Sequence, residues 1–275
     1  MKEKLKDFIK NCESRIKRLL IILFKKRSLE HLIRKGNYKD LPIYIISYNR
    51  LNYVKQTVEW LRGFGYKNIT IIDNNSDYEP LLEYFKDCPC KVIRMKKNYG
   101  HKVFYNNIRF LFKRLNHYFF LTDPDLYPIE NCPDDFAEVF IKQMYKNVDV
   151  SKVGFSLKID DIPDDFYLKD EVLSWEEKYY KDYYHDDEFN VNCYKAGIDT
   201  TFALNSPMIF MPRLHFYEAI RVGEPYQLRH LPWYSIEDEK ENEHYLKTKR
   251  NDISNWNGDV DKEEMQKNIS ENKLK

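Results

Sequence analysis

Glycine is scarce in this chain, with 8 in 275 residues. There is no G-x-x-x-x-G-K-[ST] loop to cradle phosphates and no G-x-S-x-G elbow for a nucleophilic serine. The nearest approach to a dinucleotide fingerprint is GFGYKN, residues 63–68. It is an incomplete G-x-G-x-x-G that follows a helical pattern rather than a strand. It reads as a helix stop, and nicotinamide binding is set aside. Cysteine is also sparse: five residues, an odd number widely spaced, make no disulfide framework. Cys88-Pro-Cys90 is too tight for a metal pair and has no second C-x-x-C or H-x-x-x-H partner. Reduced thiols in a cytoplasmic protein are the expectation. Long apolar runs are missing too. The longest early one, Leu19 to Phe24, is six residues, against about 20 for a spanning helix. No small-residue cleavage site accompanies it, so no secretory signal is expected. A net charge of +1 gives no global reason to expect nucleic acid as a partner.

What is present is a globular composition, 43% hydrophobic and 32% charged, in a chain long enough for one large domain or two small ones. Aromatics reach 16%, with 22 tyrosines. Two readings stay open for that excess: surfaces that line sites for sugars or flat polar ligands, or plain compositional bias. The charge is unevenly placed. Residues 1–27 hold ten Lys/Arg and three Asp/Glu, a local +7, which leaves −6 for the rest. Within that basic stretch Leu5, Ile9, Cys12, Ile16, Leu19 and Leu23 recur at steps of four and three. The spacing predicts an amphipathic helix over 1–36 with cations on its other faces. Such a helix lies on an anionic membrane surface, or it packs on the domain or a partner helix. The first reading makes the protein peripheral on the membrane face.

From residue 42 the chain alternates. PIYIISYN (42–49), NITIIDNNS (68–76), CKVIRMKKN (90–98) and YFFLTD (118–123) read as strands. Between them lie LNYVKQTVEWLRGFG, with Leu51, Val54, Val58 and Leu61 on one face, a short helix YEPLLEYFKD, and HKVFYNNIRFLFKRL read as one helix. This β-α-β-α-β-α-β run argues for a parallel sheet with helices on its faces. Beyond it, DDFAEVFIKQMY (134–145) is a helix opened by acids, and KVGFSLKI (152–159) is a strand. An aromatic helix is expected around Trp175, and short strands in FNVNCYKAG, DTTFALN and PMIFMP. A polar tail of at most one helical segment fills 236–275.

In such sheets ligands bind beyond the carboxyl ends of the strands. Ser47-Tyr48-Asn49-Arg50, Asp73-Asn74-Asn75-Ser76, Lys96-Lys97-Asn98 and Asp123-Pro124-Asp125 close four successive strands. Each alone is ordinary turn composition; all four at one edge make a candidate site. Two carboxylates one residue apart suit a hard divalent cation, Mg²⁺ or Mn²⁺, which takes oxygen ligands and keeps positions for phosphate oxygens. That cation offsets charge growing on a departing diphosphate.

On these motifs, residues 42–235 resemble a nucleotide-sugar-dependent glycosyltransferase of the GT-A fold, close to the family 2 type. IYIISYNRLNYVKQTVEWL resembles its opening strand and helix, ITIIDNNS its second strand, KKNYGHKVFYN the Asn/Gly segment ahead of the next helix, and YFFLTDPDLYP its D-x-D. The resemblance implies an α/β domain with a mostly parallel nucleotide-binding half (42–128) and a mixed acceptor-binding half (129–235). It implies that Asp73 meets the base and that Ser47, Asn49 and Arg50 line the nucleotide cleft. Asn98 and His101 would sit near the donor, while Asp123 and Asp125 would hold the ribose and the metal–diphosphate. A further metal ligand, often a histidine from the C-terminal part, falls on His230, with Arg221 and Arg229 near the diphosphate.

The implied reaction is metal-dependent transfer from a nucleoside-diphosphate sugar, UDP foremost, to a hydroxyl of a glycan, lipid-linked or protein-linked acceptor. An inverting enzyme also needs a carboxylate base for that hydroxyl. No Glu-Asp pair stands in the acceptor region; Asp199 in GIDTTFAL is the candidate, with Asp160 and Asp161 as competitors. Two alternatives are carried. A phosphotransferase of the D-x-D-x-[TV] type would want Thr or Val where Tyr127 stands, after the first strand rather than the fourth. A membrane-associated protein that kept the fold and lost activity would have no need of an intact Asp123/Asp125 pair.

Overall fold

The computed structural model describes residues 2–210, 219–234 and 238–250. The side chains of Leu5 and Ile9, the end of PMIFMP with the residues up to 218, and the tail beyond 250 lie outside the described residues.

Helix α1 (Lys2–Lys35) leads into strand β1 (Ile43–Ser47), followed by α2 (Leu51–Gly63), β2 (Ile69–Asp73), α3 (Glu79–Asp87) and β3 (Lys91–Arg94). Next come α4 (Val103–Asn106), α5 (Leu111–Asn116), β4 (Phe119–Thr122), β5 (Leu126–Pro128), α6 (Phe136–Lys146) and β6 (Lys152–Leu157). The remainder is α7 (Lys169–Glu176), β7 (Tyr183–Asp186), β8 (Val191–Lys195), β9 (Ala203–Asn205), β10 (Ala219–His230) and α8 (Glu239–Thr248). Among the described residues ten strands form one sheet in the order β3-β2-β1-β4-β9-β6-β10-β8-β7, with β5 pairing to β10. β1, β2 and β4 are buried along their whole length, as a strand covered on both faces by helices requires. That is why they read in the sequence as unbroken apolar runs rather than alternating ones. β3 is the edge and shows its lysine and arginine to water.

β3, β2, β1 and β4 run parallel. β9 is antiparallel to both β4 and β6, so β6, and β10 parallel to it, point the same way as β1. The carboxyl ends of β1, β2, β4 and β10 therefore share one edge. The strand order reverses between β1 and β4, which opens a crevice at their carboxyl ends.

An aromatic seam holds the two halves together. Phe120, Phe136, Phe140, Phe155 and Phe202 are fully buried, with ring centroids 5.0 Å apart for Phe136–Phe155 and 4.8 Å for Phe140–Phe155. Tyr66 stacks on Phe136 at 4.5 Å. Each such side chain contributes about 2–3 kcal/mol by leaving water. Much of the aromatic excess thus serves the core.

The single helix expected over 101–115 is broken. Asn107 has extended backbone (φ −94°, ψ 128°), and its side chain accepts from the Arg109 N–H. Restarting the helix there turns Arg114 inward, where Nη1 donates to the Phe104 carbonyl, and leaves Ile108 and Phe112 exposed. The one helical segment allowed for the polar C-terminal region is present in its described part, residues 238–250. Asp238 caps α8 by accepting from the Lys240 and Glu241 N–H groups, and α8 docks on the carboxyl edge of the sheet.

Candidate active site at the carboxyl edge

The loops closing β1 and β2 are tied to each other before they can bind anything else. Asn49 (φ 49°) and Asn75 (φ 71°) sit in the left-handed region, which asparagine enters more readily than most residues. Asn49 Oδ1 accepts from the Asp77 and Tyr78 N–H groups, and its Nδ2 donates to Asp77 and to Thr248. Asp73 is fully buried; Oδ1 accepts from the Ser76 N–H at 2.9 Å and Oδ2 from Arg94 Nε at 2.8 Å. Asn74 joins this edge to the next loop, accepting from the Tyr99 N–H and donating to the Gly100 carbonyl. Asn98 Oδ1 accepts from the Gly100 N–H, and His101 is half-buried in the turn before α4. Ser47 is buried with its Oγ unpartnered.

The acidic pair lies across the crevice from this edge. The Pro124 carbonyl between the two carboxylates accepts from Thr57 Oγ1 at 2.7 Å, which fixes the turn to α2. The Asp123 N–H donates to the Thr200 carbonyl. β5 pairs antiparallel with the end of β10, His230 opposite Leu126, and the Leu231 N–H donates to the Asp125 carbonyl at 2.9 Å. This register brings His230 Nε2 to 3.4 Å from Asp125 Oδ2. The His230 ring meets Trp233 edge-on at 4.8 Å, and its buried Nδ1 has no partner.

The two carboxyls are not equivalent. Burial, the charge of Asp125 and a smaller contribution from Asp199 push Asp123 well above the usual carboxylate range, against a hydrogen bond from Thr200. Burial also acts to raise Asp125, but the charge and hydrogen bond of His230, together with the charge of Arg50, more than offset it and hold Asp125 below that range. Two carboxylates one residue apart at the crevice, with His230 Nε2 beside Asp125, are the observation that fits a cation here. Among the described residues no group of three or more His, Cys, Asp or Glu side chains is already drawn together as a ligand cluster. A hard cation is commonly held by one or two carboxylates with substrate phosphates completing its shell, and this donor set suits that arrangement.

Several expected residues are placed elsewhere. Arg221 lies near the start of β10, the opposite end from His230. It is buried there with Nη1 2.7 Å from Glu176 Oε2 and Nε donating to the Gly197 carbonyl. Those two contacts occupy its guanidinium away from the acidic pair. Arg229 is next to His230, but side chains alternate along a strand, so it turns to the other face. It pairs with Glu130 at 2.7 Å and Asp161 at 2.7 Å. Neither arginine joins the acidic pair. Asp161 is taken by Arg229 and Tyr234, and Asp160 is exposed beside Lys158. Asp199 is exposed and near enough to Asp123 for its charge to act there.

The sequence reading missed α8 entirely as part of this edge. Glu241, buried, accepts from the Leu51 and Asn52 N–H groups at 2.8 and 3.0 Å and so caps α2. The Arg50 guanidinium lies 3.8 Å from the Tyr245 ring and donates to Asn242. Tyr48 donates to the Thr248 carbonyl, His244 Nε2 sits 2.8 Å from Asp77, and Arg250 donates to the Asn98 carbonyl. The Asp238-x-x-Glu241 spacing signals a helix start; nothing local says where that helix docks.

A parallel crevice with an acidic strand end, in a mixed α/β sheet flanked by helices, is the GT-A class of architecture. The model of glycosyl transferase family 2 matches residues 43–203, more than half of the chain. The chain belongs to that family. Among solved structures, a mannosyltransferase from Pyrobaculum calidifontis in complex with GDP-Man and Mn²⁺ is similar at 13% identity and TM-score 0.40, over 78% of this chain and 66% of that one. No curated protein matches the chain.

Proposed function

We propose that the protein is a divalent-cation-dependent transferase. It would move a sugar from a nucleoside-diphosphate donor, with UDP the nucleotide the resemblance implies, to a hydroxyl of a glycan, lipid-linked or protein-linked acceptor. The observation that carries this reading is the meeting of Asp123, Asp125 and His230 at the switch-point crevice. Asp123 and Asp125 would hold Mn²⁺ or Mg²⁺, with His230 beside them. When bound, the cation supplies Lewis-acid stabilisation of the leaving diphosphate.

The chain's own residues do the remaining work. Asn49, Asp73 and Asn74 hold the loops that wall the nucleoside end, and Arg50 adds positive charge beside Asp125. Asp199, exposed and near enough to Asp123 for its charge to act there, would serve as general base for the acceptor hydroxyl, a role that requires hydrogen-bond reach of the proton taken.

The test is thermal stabilisation by UDP with Mn²⁺, repeated with other nucleoside diphosphates and with chelator. The expected result is a metal-dependent rise that Asp125→Ala abolishes, together with transfer activity, while the circular dichroism spectrum is kept. If no nucleoside diphosphate raises the melting temperature with metal, or if Asp125→Ala binds and transfers as the parent does, the metal role is wrong.

A further inference from the structure

Helix α1 docks on the domain toward its C-terminus, and exposed apolar side chains precede the dock. Its C-terminal third is fastened to the domain. Leu29 is fully buried, the Glu30 carboxylate accepts from Tyr145, and Lys25 Nζ donates to the Val150 carbonyl. Ahead of that anchor, among the described residues, a run of apolar side chains is uncovered. Ile16, Leu19, Leu20, Leu23 and Phe24 are exposed by 45% to 66%. At about 100° per residue they span an arc of roughly 140° on one face. The stripe therefore does not serve the domain core.

The charges around this face favour one kind of occupant. Residues 12–27 hold six Lys/Arg and one acid, Glu13. On the helical projection Arg15 and Lys26 border one side of the apolar arc and Lys17 the other, all exposed. A second copy of this face would set cation against cation, which is unfavourable. Anionic headgroups would meet the cations on both borders while the apolar arc enters the acyl boundary. No described helix is long and apolar enough to cross a membrane, so the geometry is that of a helix lying on the surface.

A second exposed patch lies toward the same end of the domain. Phe112 and Ile209 are exposed by 75% and 51%, with Arg109 and Lys113 exposed near them. The Ile209 N–H donates to the Leu115 carbonyl, and the ring of Phe210 lies 6.4 Å from Tyr118.

We propose that residues 12–27 of α1 form a lipid-docking surface that places the enzyme on anionic membranes. The amino edge of the sheet is then toward the bilayer and the acidic crevice at the opposite edge.

The test is co-sedimentation of the full chain with vesicles of phosphatidylcholine, alone or mixed with phosphatidylserine, at low and high salt. The expected result is binding to the anionic vesicles, weakened by salt. Leu19→Glu/Leu23→Glu should reduce it about tenfold or more, with unchanged circular dichroism and melting temperature. Arg15→Ser/Lys17→Ser should weaken binding to the anionic vesicles as well. Three results would overturn the proposal: no sedimentation with anionic vesicles, equal binding to neutral ones, or a Leu→Glu variant that binds like the parent. Light scattering covers the remaining occupant. A parent dimer that Leu19→Glu/Leu23→Glu converts to a monomer, without vesicle binding, would assign the face to a second copy instead.

Discussion

Glu241 offers a way to separate charge from hydrogen bonding at the edge of the site. Its Oε2 receives two N–H groups from the first turn of α2, 2.8 and 3.0 Å away, where Arg50 supplies no side-chain cap of its own. A hydrogen bond to a charged group is worth about 1.5–3 kcal/mol net. Two of them would total about 3–6 kcal/mol, less the cost of taking the carboxylate out of water. That cost is visible in the direction of its titration. Burial raises Glu241 above the usual carboxylate range in spite of the Leu51 and Asn52 bonds and the charge of Arg50. A raised acid contributes stability that is fully present below its unfolded pKa and is lost as pH rises through its folded one. At neutral pH the negative charge is therefore a net cost, and acceptance of the two N–H groups is the gain.

The expected loss for Glu241→Ala is about 2–4 kcal/mol in α8 docking, the penalty for leaving two N–H groups without their acceptor. Glu241→Gln keeps an acceptor and sheds the charge, so it should cost about 1 kcal/mol or less. Hydrogen exchange reads this directly. The Ala variant should open the amides of α8 and of Leu51 and Asn52 about 30-fold to several hundred-fold faster, and the Gln variant only a few-fold. In the parent, docking should tighten as pH falls toward about 4.5, a dependence absent in Glu241→Gln. Equal damage from Ala and Gln would refute the reasoning, since the charge would then carry the contact.

Three further outcomes are expected. Arg221→Ala strands the buried Glu176 carboxylate and should cost about 3–5 kcal/mol in urea unfolding, while nucleotide affinity of the folded protein stays unchanged; a selective loss of nucleotide binding would restore Arg221 to the site. Arg229→Ala should likewise leave donor affinity as it is, measured by calorimetry, because its partners are Glu130 and Asp161. Lys152 is pushed down to about 8 by burial, with Asp199 acting weakly the other way. The unfolded chain therefore holds its proton up to about pH 10.4 when the folded one does not. Relative to Lys152→Met, the parent should gain about 1.4 kcal/mol of stability per pH unit above pH 8; a flat difference between the two from pH 7 to 9.5 would contradict it.

The alternation of runs in 42–123 determined the parallel half of the fold, because strands covered on both faces must be apolar throughout and their ends must turn. Ser47, Asp73 and Asp123 stand at their strand ends for that local reason, and so the acidic pair was legible. The break at Asn107 was not: a stripe of Val103, Leu111 and Leu115 fits a continuous helix until Arg114 needs the Phe104 carbonyl. The partner of Asp125 was reached through the family resemblance, which put a metal-ligating histidine on His230, and not through local periodicity. His230 follows Asp125 by more than a hundred residues and meets it only through the antiparallel register of β5 on β10, and that same register turns Arg229 away. Glu241 is a surface residue by composition and a buried helix cap by position. The sequence by itself determined which strand ends carry carboxylates, since that follows from local periodicity. Only the tertiary structure decided which distant side chains face them, since strand register and helix docking are settled by packing across the whole sheet.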